Sequence, residues 1–511
     1  MMNWKEKRVV ILGLARQGTA VARYLVTQGA RVIASDMNRS PDLSGLEVFG
    51  SRIEFVLGEH PLSLLDHCDM LCLSGGVPID LPIVLEAKAR GIPLSNDAQI
   101  FFDVCPAPII GITGSAGKTT TTTLVGEMLK EELRINAKRE ELQKADPVLH
   151  SSFPILNSRS VWVGGNIGNP LISDIDTIKS DDHVVMELSS FQLELMTRSP
   201  QIACITNITP NHLDRHGSMA AYIAAKKHII DFQMPQDWQV LCADDPITRS
   251  LNNQAQTAWF SLAEEPQGVG AWMDEGGLLR LKLPDIADGR WETGDRIKVV
   301  SCLPSLALCH RRDLQLMGAH NILNVLAASL VAGLAGASLE TMRTVATTFR
   351  GVPHRLQLIS ELNGARWYDD SIATAPERLM AALKCFDQKV ILLCGGRDKY
   401  LPWTEAAQMM IERCSHIILF GEMGPLVFDE VEKVLYRFYS TEPRDQSPGR
   451  PAPHKGAVVH VCGTLVDAVE HAKKAAGMGD VVLLSPGGTS YDAFKDFAER
   501  GDRFRELVES S

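Results

Sequence analysis

Residues 111–120 read Gly-Ile-Thr-Gly-Ser-Ala-Gly-Lys-Thr-Thr, directly after an apolar run and directly before a helical pattern. Small residues let a chain curl until successive backbone N–H groups point at one phosphate, and a helix N-terminus adds its positive dipole end. Gly114, Ser115, Ala116 and Gly117 would form that cradle. Lys118 would reach the β- and γ-phosphates, and Thr119, with Thr120 beside it, would offer a hydroxyl to Mg²⁺. The strict pattern has glycine where Ile112 stands, so this is a variant phosphate loop. Such loops serve kinases, ATPases and GTPases alike, so the rest of the chain must select the chemistry.

A second glycine pattern lies near the start. Gly13-Leu14-Ala15-Arg16-Gln17-Gly18 follows an apolar run, and Asp36 ends the next one. This resembles a dinucleotide fingerprint in which the middle glycine is Ala15. The middle glycine lets backbone approach a pyrophosphate closely, and a Cβ there obstructs it. A Rossmann-like domain for a nucleotide diphosphate other than NAD fits at least as well.

These loops need strands and helices to hold them. VVILGLA, RVIASD, MLCLSGG and IPLSN alternate with helical stretches over residues 1–105, which predicts a parallel, doubly wound sheet. A Pro-rich boundary at Cys105-Pro106-Ala107-Pro108 leads into the phosphate-loop segment. There HVVMELSS and IACITNITP read as further strands, and HNILNVLAASLVAGLAG as a helix. Residues 131–160 read as a helix extension followed by a surface loop, and 255–315 as strand- and turn-rich. From FRGVPHR onward, ARWYDDS, KVILLCGG, HIILFG and VVLLSPGG are candidate buried strands, and 440–456 reads as an exposed loop. The expectation is α/β throughout, in three domains: 1–105 Rossmann-like, 106–350 of P-loop ATPase type, and 351–511 Rossmann-like.

Composition narrows the function. A net charge of −11 argues against coating nucleic acid or an anionic membrane, while leaving room for a local anion site. The 11 cysteines show neither CxxC nor zinc-type spacing, which points to reduced thiols. No run of 18 apolar residues predicts a spanning helix, and the start lacks a signal-peptide cleavage pattern. The expected location is the cytoplasm.

Further strings fall into one order: GGNIGNPL from Gly164, MELSSFQLE from Met186, and TNITPNHLDRHGSMAAYIAAK from Thr206. They continue with GAHNILNVLAA from Gly318, GVPHRLQ from Gly351, WYDDSIAT from Trp367 and LLSPGGTSYDAFKDFAERG from Leu484's neighbour Leu483. Together, over nearly the whole chain, they resemble the Mur ligases, with SSFQLE and the C-terminal SPGGTSYDAF closest to the glutamate-adding branch. The resemblance implies an ATP-dependent amide-bond ligase of peptidoglycan precursor synthesis, joining glutamate to UDP-N-acetylmuramoyl-L-alanine through an acyl phosphate. It implies UDP-sugar contacts at Gly13, Leu14, Ala15, Gln17, Gly18, Asp36, Ser74 and Gly75. Asn166 would face substrate. Glu187, at the end of an apolar strand, would bind Mg²⁺ with Thr119, and His212 would lie near the metal. Lys226 matches a lysine that the family carries as a carbamate, able to ligate a second Mg²⁺. Asn321, Asn324, Arg355 and Asp370 would contact ATP. Thr374, Lys399, Ser490 and the backbone near Phe497 would take glutamate.

Two departures bear on specificity. Ile372 stands in Asp370-Ser371-Ile372-Ala373-Thr374 where many relatives have lysine, and the SPGGTS loop is unusually glycine-rich. Both sit among the expected glutamate contacts, so an L-glutamate-adding variant is the alternative, and a folylpolyglutamate synthase-like ligase another. Met37 and Asn38 also replace a Thr-Arg pair expected near uracil.

Overall fold

Strands covered by helices on both faces have no polar side, so they appear in sequence as short unbroken apolar runs. Such runs form the middle of the first sheet, whose strands are β1 (Arg8–Leu12), β2 (Arg31–Asp36), β3 (Ile53–Leu57), β4 (Met70–Leu73) and β5 (Leu94–Asn96). All pair in parallel, in the order β3-β2-β1-β4-β5. The order reverses between β1 and β4, where ligand crevices form in such sheets. Gly13 and Ser74 follow those two strands, and a Cβ on Gly13 would lie 3.0 Å from the Ser74 Cβ. Gly18 is required for a different reason: its Cβ would sit 1.9 Å from the Gly13 carbonyl oxygen, so only glycine lets the helix Arg16–Thr27 start this close.

The structure, a computed structural model, describes residues 3–43, 45–145, 160–284, 304–316, 318–399, 401–441 and 457–510. Among them a second sheet contains β6 (Ile109–Thr113), β7 (Val161–Gly165), β8 (His183–Glu187), β9 (Ile202–Ile205), β10 (Trp238–Cys242), β11 (Gln256–Ser261), β12 (Gly270–Met273), β13 (Leu278–Lys282) and β14 (Leu306–His310). Its order is β14-β13-β12-β11-β10-β9-β6-β8-β7. The strands from β7 to β12 are parallel, while β13 and β14 add an antiparallel edge. The helix Lys118–Ala145 carries the expected extension through 131–145; the surface loop expected over the remainder, 146–159, lies outside the described residues. The same is true of 442–456 and 285–303.

The helix Ala319–Leu334 packs along Lys118–Ala145, and every residue from Asn324 to Ala332 is buried. A buried carboxylate fixes a third helix to this pair. Glu132 is 1% exposed, and its Oε2 accepts from the Ser338 N–H (2.9 Å), the Ser338 hydroxyl (2.6 Å) and the Thr341 hydroxyl (2.6 Å). It thus satisfies the N-terminus of the helix Leu339–Thr348, where an anion is favoured. Glu132→Ala should destabilise the fold by about 2–4 kcal/mol, because the buried Thr341 hydroxyl and the half-buried Ser338 hydroxyl and N–H lose their acceptor. Urea denaturation measures it, and a change below about 0.5 kcal/mol would contradict the assignment.

Residues 1–349 and 350–511 are two compact units. The second holds β15 (Gln357–Leu362), β16 (Ala365–Asp369), β17 (Val390–Gly395), β18 (Cys414–Phe420), β19 (Val458–Val461) and β20 (Val481–Gly487), in the order β15-β16-β20-β17-β18-β19. Only β15 runs antiparallel to its neighbour. The architecture is α/β, with one sheet for each of three domains. No helix among the described residues is long and apolar enough to cross a membrane.

Candidate active site

The Gly-rich loop leaves the carboxyl end of β6, which lies between β8 and β9. Register places Ile112 beside Glu187 and Thr113 beside Ile205, so three strand ends open at one level. Gly114 (φ +151°) and Gly117 (φ +83°) adopt backbone conformations that L side chains rarely take. Added Cβ atoms would also collide, Gly114 with Thr206 Oγ1 at 1.9 Å and Gly117 with Asn324 Oδ1 at 2.3 Å. The loop is braced from β9: the Thr206 hydroxyl donates to the Ala116 carbonyl (2.6 Å), and Asn207 exchanges bonds with both sides of the Ala116 backbone. Ser115 Oγ donates to the Thr209 carbonyl at 2.8 Å.

Lys118 opens the following helix, with its Nζ 2.8 Å from the Gly114 carbonyl and 3.4 Å from that of Ser115. Thr119 and Thr120 are half-buried beside it. Asn324 donates to Asn321 Oδ1 at 3.1 Å, and its own oxygen lies against Gly117. Asn324 therefore meets the loop and Asn321 braces it, as their helical spacing allows.

Glu187 ends β8 and is 2% exposed. Its Oε1 accepts from Asn166 Nδ2 at 2.9 Å, while Oε2 is buried with no hydrogen-bond partner among the described residues. Asn166 also donates its backbone N–H to the Glu187 carbonyl (2.9 Å), so GGNIG is folded directly onto this carboxylate. An orphaned buried carboxylate oxygen is a costly arrangement that a cation would relieve. No group of three or more His, Cys, Asp or Glu side chains suited to a metal occurs among the described residues. Mg²⁺ keeps several waters and takes one or two protein carboxylates plus substrate phosphates, so Glu187 with Thr119 is a donor set of the right kind.

Lys226 lies beneath the loop on the helix Met219–Asp231 and is 1% exposed. Its Nζ donates to the Gly114 carbonyl at 2.9 Å and lies 4.8 Å from the centre of the Tyr222 ring. Burial, then the neighbouring Lys118 charge, push this amine down to about 7, against the pull of Glu187. The Tyr222 hydroxyl in turn meets Ser115 Oγ at 2.9 Å.

His212 occupies a left-handed backbone position (φ +51°) and is exposed. Its ring meets Phe191 edge-on at 5.4 Å, while His216 stacks on Phe191 at 5.1 Å and Arg215 lies 4.7 Å from the ring centre. His216 also contacts Tyr222, so this cluster reaches the Lys226 helix. Phe191 itself, with Arg215, Ser74 and Gly75, lines a cavity of about 150 Å³.

In the first sheet Asp36 accepts from the backbone N–H groups of Leu14 (2.6 Å) and Asn38 (2.7 Å), so it shapes the turn. Leu14, Ala15, Arg16, Asp36 and Asn38 line a cleft of about 570 Å³. Gln17 points elsewhere, donating to the Gly165 carbonyl of β7 at 2.7 Å.

The unit 350–511 holds its own cluster. Lys399 Nζ donates to Thr374 Oγ1 at 3.1 Å, and burial lowers the lysine pKa. Gly487 N–H bonds the Ala373 carbonyl, and Thr489 pairs with Arg397, which brings the Thr374, Lys399 and Ser490 segments to the same end of β17 and β20. Ser490 is 2% exposed. Phe497 lies 6.1 Å from the His354 ring. Asp370 is buried, accepting from the Ser485 hydroxyl (2.8 Å) and the Leu356 N–H (3.2 Å); burial raises its carboxyl to about 7, and Arg355 opposes that rise. Ile372 is half-buried and donates its N–H to the His354 carbonyl.

Sequence reading passed over Arg500. It is fully buried, with bonds to the Ser371 hydroxyl (2.9 Å), the Ser371 carbonyl (2.9 Å) and the Gly488 carbonyl (3.1 and 3.2 Å). Desolvation pushes it down to about 10. It ties the DDSIAT string to the SPGGTS loop. Its position on one amphipathic helix gave no sign of this, since arginine there reads as solvated surface.

Three family comparisons cover most of the chain. Residues 7–96 match the Mur ligase MurD-like N-terminal domain, 112–332 the Mur ligase middle domain, and 354–488 the Mur ligase glutamate ligase domain. A UDP-N-acetylmuramoylalanine–D-glutamate ligase of Acetivibrio thermocellus is 38% identical over 99% of this chain and 97% of its own length. A protein of the same name from Symbiobacterium thermophilum is 37% identical over 99% and 98%. The solved UDP-N-acetylmuramate-alanine ligase MurC of Thermotoga maritima shares the fold, with a TM-score of 0.50 at 19% identity over 98% of this chain and 99% of that one.

Proposed function

The chain belongs to the Mur ligase family, and on that premise we propose that it adds D-glutamate to UDP-N-acetylmuramoyl-L-alanine with consumption of ATP. The observation that carries this reading is the convergence of the phosphate loop, the half-satisfied Glu187 and the buried Lys226 at adjacent strand ends. Full-length likeness to D-glutamate ligases supports the choice of substrates.

An amide cannot form directly from a carboxylate, because oxide is too poor a leaving group. Transfer of the ATP γ-phosphoryl to the alanyl carboxylate gives an acyl phosphate and ADP. The glutamate amine then adds to the acyl carbon, loses a proton, and phosphate departs with the C–O bonding pair. Both steps gather anions, so fixed donors and cations matter more than covalent help. Loop N–H groups and Lys118 orient the phosphates. Glu187 and Thr119 would hold Mg²⁺, which when bound neutralises phosphate charge. A carbamate on Lys226, made from its neutral amine and CO₂, would turn a buried cation into a second anionic ligand. In residues 350–511, Lys399 and Ser490 would meet glutamate carboxylates, and Thr374 would hold Lys399 in place. We assign residues 1–105 to the UDP-sugar, 106–350 to ATP and 351–511 to the amino acid.

The test is phosphate release with ATP, Mg²⁺ and UDP-N-acetylmuramoyl-L-alanine, offering D- and L-glutamate separately and weighing the product. The expected result is a glutamyl adduct with the D-isomer. An adduct with L-glutamate alone would overturn the handedness and direct attention to Ile372. No turnover with either would overturn the acceptor.

A further inference from the structure

The first domain grips the Glu187 strand from two sides. On one side, Gln17 donates to the Gly165 carbonyl, and Gly165 pairs with Glu187 in register. On the other, the helix Asp97–Val104 is bonded to the segment that follows Glu187. Asn96 Nδ2 donates to the Gln192 carbonyl at 2.7 Å, and Gln192 Nε2 donates to Asp97 Oδ2 at 2.8 Å. Farther along, Gln99 accepts from the Thr197 N–H at 2.8 Å, and Arg198 donates to the Phe102 carbonyl at 2.9 Å.

Gln192 is the pivot of this seam. It is 3% exposed, and its Oε1 accepts from the Ser189 N–H and hydroxyl, both at 3.0 Å. Ser189 Oγ in turn accepts from the Gln192 N–H, closing a capping box that fixes the turn directly after Glu187. An amide rotated by half a turn would present NH₂ to Ser189 and break that box. What sets its orientation is the acceptor on the far side, Asp97. That carboxylate is 5% exposed, and among the described residues its second oxygen, Oδ1, has no hydrogen-bond partner. Burial pushes its pKa up to about 6, so Asp97 is held in an unfavourable place for a carboxylate. Phe191, within the same turn, carries His212, His216 and Arg215 and lines the cavity with Ser74 and Gly75.

We infer that Asp97 is a positioning residue for the ligation reaction: it acts through the Gln192 amide to hold the 188–193 turn, and with it Phe191, in the shape that receives the UDP-sugar acceptor. This rests on the proposed function for its substrate. Asp97 touches neither ATP nor the reacting atoms, so its signature is a split in kinetic constants.

The experiment compares wild type with Asp97→Ala, Gln192→Ala and the double variant. Asp97→Ala should raise KM for UDP-N-acetylmuramoyl-L-alanine by about tenfold or more, as expected for loss of a buried bond to a charged acceptor. KM for ATP should stay within twofold. The double variant should match Gln192→Ala, because a residue acting through another adds nothing once that other is gone. Asp97→Asn keeps an acceptor oxygen for Nε2 and should stay within threefold of wild type. An acceptor KM within twofold in Asp97→Ala, multiplying effects in the double variant, or failure of Asp97→Asn like that of alanine would each overturn the inference. Amide hydrogen exchange of residues 188–193 in ligand-free protein should quicken in Asp97→Ala while 114–120 is unchanged. That readout needs no turnover, so a wild type inactive on this acceptor would sink the proposed function and leave the role of Asp97 to be decided by exchange; unchanged exchange would overturn it.

Discussion

Lys118→Ala should lower ATP-dependent ligation by at least about 10²–10³-fold, the scale seen when one preorganised donor is taken from a developing anion. The ammonium is held over the loop by the Gly114 and Ser115 carbonyls, and it opens a helix whose N-terminus already favours phosphate. The backbone cradle survives the substitution, because Gly114, Gly117 and the Thr206 and Asn207 bonds hold it without the side chain. Loss should therefore fall on turnover, with thermal unfolding little changed. A second effect follows from geometry. Lys118 is one of the causes that depress the Lys226 amine, so its removal should let that pKa rise from about 7. Ligation within tenfold of wild type would sink the assignment of the phosphate loop.

Replacement of Lys226 should be nearly as damaging, and it has a more specific signature. Lys226→Ala should lose activity by a similar factor and regain part of it with added short carboxylates, which would replace the carbamate. Full activity would remove the carbamate from the mechanism. The wild type should lose activity when CO₂ is stripped at pH below about 7, where the amine is charged and cannot add CO₂, and recover with bicarbonate once the pH is raised above about 7. Stability of the unmodified protein should depend on pH in the same direction. The unmodified amine has a folded pKa near 7 and an ordinary value of 10.5, so the unfolded chain binds more protons between those limits. Stability then rises with pH across that window, and the full penalty of burying the ammonium is present below about 7. Lys226→Met should accordingly be more stable than CO₂-stripped wild type in acid, with the gap narrowing toward pH 10.5.

Much of this was legible in the residues. The phosphate loop announces itself because Gly-Lys-Thr after an apolar run has few other uses, and Glu187 because a carboxylate ending HVVME has nowhere apolar to go. The strands that escaped notice were β3, β7, β10, β15 and β19; all but β10, whose run Gln239 interrupts, are sheet edges. An edge strand is covered less completely, so it tolerates exposed and half-buried residues, as the Val458–Val461 and Gln357–Leu362 strands do. The apolar-run signal fades there. Long-range polar pairings were invisible for another reason. Arg500 with Gly488 and Ser371, Asp97 with Gln192, and Glu132 with Ser338 join residues far apart in sequence, and nothing local marks them. Gln17 shows the converse: it sits in a nucleotide fingerprint, yet its amide bonds the Gly165 backbone.

The two compact units also differ in how their interiors are shared. Apolar side chains of the first two sheets merge in one cluster, from Val9 and Phe101 through Ile109 to Met186 and Ile205. The clusters of residues 350–511, around Leu392 and Leu483 and around Trp367 and Phe504, draw on that unit alone. For chimera building, this makes the chain divisible at 349/350 and indivisible near 105. A cassette exchanged at the first junction carries Ile372, Lys399 and the SPGGTS loop together with Arg355 and Asp370, so such an exchange tests whether the choice of amino acid travels with residues 350–511.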